Sequence, residues 1–202
     1  MSDTYVVAIE GLSDSRPLAA LPKKLITAAV RAVNKTADRA RTASAREILK
    51  QVALPPSYLQ PGGGRLTVTK KARADDLEAV VTGRQRPTSL ARFSSGGQPG
   101  GAGVSVTVAP GFARFMRRAF LIRLRAGAAD LDTKSNLGLA LRLRPGERVE
   151  NKRVMIPLKG NLYLLFGPSV DQLFATVRED IGPDTQDFLG AEFARLMELD
   201  IA

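Results

Sequence analysis

The chain has 202 residues, 44% apolar and 5% aromatic, and a net charge of +10, enough for one ordinary domain with a thin core. It contains neither Cys nor His, which excludes disulfides, thiolate metal sites and thiol nucleophiles, and removes the usual neutral-pH base and the centre of a Ser-His-Asp relay. No enzyme activity, cofactor or metal is therefore expected. The Met-Ser-Asp-Thr-Tyr start has no apolar secretory core, and no run of about 18 uncharged apolar residues occurs, so a protein made and used in a cytoplasm is expected, without a membrane partner. Charge is unevenly placed: residues 1–160 carry 28 Lys and Arg against 12 Asp and Glu, a net +16, whereas residues 161–202 carry 2 against 8, a net −6. A basic body suits nucleic acid or acidic protein surfaces, and an acidic end could meet the basic body of a second copy in a head-to-tail ring.

From Lys23 to Val52, apolar and small residues recur every three or four positions: Leu25, Ala29, Val33, Ala37, Ala40, Ser44 and Ile48. That period predicts one long helix with a small-residue stripe. Pro22 suits its first turn, and Leu54-Pro55-Pro56 ends it, because proline has no N–H to donate. The opposite face is basic, and Arg31, Lys35 and Arg39 on it are candidate interface residues.

Past Gly62-Gly63-Gly64 the pattern changes to short β-like runs, Arg65–Thr69 and Glu78–Thr82. A flexible glycine-rich loop is expected at 94–103, followed by strands over Val104–Val108, Ala119–Arg125 and Leu137–Arg144. In the last of these, Leu137, Leu139, Leu141 and Leu143 are expected inward, with Gly138, Ala140, Arg142 and Arg144 outward. Phe112, Phe115 and Phe120 read as core residues. Arg114, Arg117, Arg118, Arg123 and Arg125 form a dense cationic group, of which Arg114, Arg123 and Arg125 could face DNA phosphates and Arg117 and Arg118 a protein partner. Helices are expected over Val170–Asp180 and from Gly182 to about Leu199, with Phe188, Phe193 and Leu196 inward and Glu192 at the margin. Phe166, Gly167 and Pro168 read as the turn into the first of these, with φ > 0 at Gly167. The whole predicts a single α+β domain over 1–202: a long N-terminal helix, an antiparallel or mixed β-sheet and two C-terminal helices.

Glycine clusters and acidic runs carry little chemistry here. Gly62–Gly64 lacks the Lys-Ser pair of a phosphate loop. Asp130-Leu131-Asp132 has Lys134 at a calcium-ligand place and Leu141 where a bidentate Glu belongs, so a turn is expected.

Several stretches, in order, resemble the prophage minor tail protein Z family of phage tail completion proteins. They are Ala28–Thr36 with Asn34 near the centre, Val104–Val108, Arg118-Ala119-Phe120-Leu121, Ile156-Pro157-Leu158, and Leu165-Phe166-Gly167-Pro168-Ser169-Val170 followed by Leu173-Phe174. Phe166 stands where the family more often carries Tyr. The resemblance implies a structural virion protein, added at the head-proximal end of a bacteriophage tail and needed for head-tail joining, with no catalytic residues. It also implies a homo-oligomer, expected as a hexameric ring matching the tail tube. Its partners would be tail tube, tail terminator and head-tail connector proteins, with non-specific contact to double-stranded DNA in the channel. The expected location is the virion tail or neck, after assembly in the host cytoplasm. The alternative is a non-specific or regulatory DNA-binding protein.

Overall fold

The computed structural model describes residues 4–8, 21–95, 103–124, 137–149 and 151–199. The protein is α+β, with a long N-terminal helix, antiparallel sheets and two C-terminal helices. The chain divides into two compact units, Met1–Ile48 with Ser57–Arg84 and Asp171–Ala202, and Leu49–Pro56 with Gln85–Val170. Among the described residues, no helix is long and apolar enough to cross a membrane.

In the first unit, helix α1 (Lys23–Gln51) buries the expected stripe from Ala29 to Ile48, with Leu25 half-buried, and a wider band that adds Ala28, Ala32, Thr36 and Ala45. Small side chains let neighbouring backbone come close, and polar groups then bridge the gap. Asn34 donates from Nδ2 to the carbonyl of Ala72 at 3.0 Å and accepts the Ala72 N–H at 2.9 Å. Arg41, absent from the expected basic face, is buried within the stripe and donates from Nε to the Leu66 carbonyl at 3.0 Å and from Nη2 to the Leu59 carbonyl. Burial pushes its pKa below the ordinary arginine value, partly opposed by Asp38. Strand β1 (Thr4–Ala8), unforeseen in the sequence, pairs with β3 (Glu78–Gly83), which pairs with β2 (Leu66–Lys70), giving the antiparallel order β1-β3-β2. Ala79 and Val81 of the central strand are fully buried.

Helix α2 (Val170–Val177) is a turn shorter than the expected Val170–Asp180, and α3 (Gly182–Leu199) follows. Glu192 lies at the centre of the α3 docking face rather than its margin: it is 6% exposed, whereas Phe188, Phe193 and Leu196 are only half-buried. Its carboxylate meets Arg195 at 2.6 Å and Lys35 at 2.9 Å, so its burial is offset by charge-assisted bonds to two cations.

In the second unit, β8 (Ala119–Arg123), β9 (Leu137–Arg142), β10 (Met155–Pro157) and β11 (Leu162–Ser169) form an antiparallel sheet in the order β10-β11-β9-β8, and β4 (Pro87–Ser89) joins the far end of β11. A second sheet has the order β5-β6-β7, from β5 (Ser94–Ser95), β6 (Val104–Thr107) and β7 (Ala113–Met116). Residues 96–102 of the expected glycine-rich loop, and Asp130 to Lys134, lie outside the described residues.

Two expectations fail here for steric reasons. Gly138 and Ala140 do not mark an outward face of β9: both are buried, and Leu164, Phe166, Phe120 and Leu124 pack over them. A Cβ at Gly138 would stand 2.7 Å from Leu164 and 2.8 Å from Leu124, so the alternation there is small against large on two apolar faces. Gly167 and Pro168 are not a turn but lie inside β11, and Gly167 is not among the positive-φ residues. The sheet register shifts between Gly167 and Ser169, an irregularity at which a residue without an N–H is tolerated. A Cβ at Gly167 would stand 3.2 Å from both Leu90 and Phe93, so these side chains would have to shift by a few tenths of an ångström to admit one.

Gly138→Val should lower stability by about 1–3 kcal/mol through overpacking, read as a reduced urea midpoint at unchanged slope. An unaltered midpoint would contradict the packing described. Gly167→Val should destabilise by a similar amount (about 1–3 kcal/mol), and Leu90→Ala in the same chain should recover part of the loss. Were φ > 0 the reason, relieving Leu90 would recover nothing.

Candidate functional site

The residues expected at an interface divide between those the protein uses internally and those it presents to solvent. On α1, Arg31 is exposed. Lys35 is bonded to Glu192, and the Arg39 guanidinium lies 4.4 Å from the centre of the Phe188 ring, a cation-π contact. Both therefore help to hold α3 on α1. Phe166 is buried in β11, whereas Gly167 and Pro168 are half-buried. Arg123 is exposed at the end of β8, and Arg125 lies outside the described residues.

The exposed chemistry gathers on β7 and the turn after it. Phe112 and Phe115, expected in the core, are 79% and 63% exposed, whereas Phe120 packs against the Ala140-Leu164-Phe166 cluster. The reason is the register. Phe115 stands opposite Ser105, on the face away from buried Val104 and Val106, which lie opposite Met116 and Arg114. The Phe115 ring instead lies over Gly103, where a Cβ would be 2.6 Å from its tip. Arg114 and Arg117 are exposed beside it.

Arg118 is fixed. Its guanidinium makes a bidentate bond to Glu147 at 2.8 and 2.7 Å and donates to the Arg142 carbonyl at 2.9 Å. The Arg144 N–H also reaches Glu147 at 2.7 Å. Arg118 and this N–H hold the Glu147 carboxyl down at about 2, far below the usual carboxylate range. Between the β7–β8 corner and the turn carrying Glu147 runs an open groove of about 560 Å³. Met116, Leu141, Leu143 and Met155 line it together with Phe115 and Arg148. Arg114, Arg117 and Arg118 were legible in the sequence, whereas the exposure of the two phenylalanines and the roles of Glu147 and Arg148 were not. The available signal was Pro110-Gly111 just before Phe112, a turn pair at a loop tip.

Such an arrangement can bind. Large exposed aromatics beside arginines are enriched at protein interfaces, and cations of this kind also contact phosphates. Comparison with known proteins finds no family model that matches the chain, no similar curated protein and no significantly similar solved structure.

The Glu192 carboxyl is likewise held at about 2, by Arg195 first and Lys35 second, against an ordinary value of 4.5. A depressed folded pKa stabilises above the unfolded value and loses that contribution as pH falls through the folded one. Glu192→Gln should therefore be less stable than the parent near neutrality, with the gap closing between pH 4.5 and about 2. Thermal melts across that range check this, and a gap independent of pH would refute it.

Proposed function

We propose that the protein is a structural component of a bacteriophage tail, a tail completion protein that acts at the head-proximal end and enables head-tail joining by binding rather than by catalysis. The observation that carries the binding role is the exposure of Phe112 and Phe115 on the chain segment that also carries exposed Arg114 and Arg117, apolar area that a self-sufficient monomer gains nothing by presenting. The tail assignment is supported by the ordered resemblance. Its pieces fall on regular elements here: Ala28–Thr36 on α1, Val104–Thr107 on β6, Ala119–Leu121 on β8, and Leu165–Ser169 on β11 leading into α2. In this reading copies join as a ring, hexameric by match to the tail tube, and touch tube, terminator and connector proteins. The protein then resides in the virion tail or neck after assembly in the host cytoplasm.

A second reading, DNA binding, is favoured by the exposed Arg114, Arg117 and Arg123. In the tail setting such contact would be sequence-blind and would weaken steeply with salt. A sequence-specific shift that survives salt would instead favour a gene regulator.

Deleting the gene should leave separated filled heads and tails in electron micrographs, with joining restored by the protein supplied in trans. Infectious particles assembled normally without it would defeat the proposal.

A further inference from the structure

We infer that the groove beside β7 is the receiving half of a head-to-tail contact between two copies of this chain, and that its occupant is the acidic end of α3 of the second copy. This deepens the proposed role by naming the surfaces through which copies join. Its test on purified protein stands apart from whether the protein is found in virions.

The charges make the case first. Glu147 is the carboxylate lining the groove, and it is already taken up by Arg118. Arg114, Arg117 and Arg148 are exposed and, among the described residues, have no ion pair. They line the groove together with half-buried Met116, Leu141, Leu143 and Met155. The surface thus asks for a ligand that alternates carboxylates with apolar side chains.

The chain itself supplies one. Residues 161–202 carry a net −6 against +16 for the rest. At the end of α3, Glu198 is exposed and Leu199 is 61% exposed, and the sequence continues the alternation with Asp200 and Ile201. Leu199 would meet the apolar side chains of the groove and Glu198 its arginines. Strand addition is a poorer route at this place. Met155, at the outer edge of β10, donates its N–H to the Asn151 carbonyl at 3.1 Å, and Pro157 has no N–H, so the edge is blunted against another strand. A groove on one part of the surface and its ligand on another form a heterologous contact, which builds rings or chains rather than an isolated pair.

Sedimentation of the full chain at low and high salt tests this. The parent should associate beyond a dimer, more weakly as salt rises. Arg117→Glu, which damages the groove, and Leu199→Ser, which damages the ligand, should each weaken association about ten-fold or more, with circular dichroism and melting unchanged. Mixed together, the two variants should form a one-to-one dimer and nothing larger, because the mixture retains one intact groove and one intact ligand per pair. A parent that stays monomeric at low salt, association indifferent to both substitutions, or a mixture that fails to pair would each overturn the inference.

Discussion

A helix whose buried face is mostly alanine has little side chain to bury, and α1 is such a helix. Ala28, Ala29, Ala32, Ala37 and Ala40 are each at most 1% exposed, so their contribution depends on backbone approaching closely enough to exclude water. That closeness puts peptide groups out of reach of solvent, and unpaired ones would be costly. Asn34 and Arg41 answer this by bonding the main chain at Ala72, Leu59 and Leu66. The ordering of the first unit rests on this combination of small residues and side-chain-to-backbone bonds.

Arginine serves two ends in the molecule. Arg41 is spent on carbonyls, Arg65 and Arg84 on Tyr58, Arg39 on Phe188, and Arg118 on Glu147. The planar fork suits each of these tasks because it can donate in several directions while its face rests on an aromatic ring. Arg114, Arg117 and Arg148 stand apart, exposed around the groove. A high net charge alone would not have separated the two groups. Burial and pairing do.

The period-3.6 stripe of α1 and the β-like runs of β2, β3, β6 and β8 were legible in the sequence because each has one dominant apolar face. The strands β1, β7, β10 and most of β11 were not, for different reasons. The burial of β7 is inverted, with Arg114 and Phe115 both exposed. The short β10 ends in Pro157, and β11 continues through Gly167 and Pro168, residues that read as a turn in isolation. Gly138 and Ala140 alternate with leucines and so read as outward, but both are buried, and Leu164 and Leu124 leave no room for a Cβ at Gly138. Glu192 misled in the opposite sense. A carboxylate on an apolar stripe reads as marginal until Lys35, remote in sequence, is brought beside it. Arg114 and Arg117 of the candidate site could be read from residue types alone, whereas Arg148 and the aromatic and apolar parts required the strands to be placed.

In the proposed binding role the Phe112 and Phe115 surface is bare only in the isolated chain. Hydroxyl-radical footprinting of these two rings, in the purified protein at low concentration and in intact phage particles, addresses it directly. Strong oxidation of both in the dilute protein and marked protection of Phe115 in the particle is the predicted result. Equal oxidation in the two states would contradict the account.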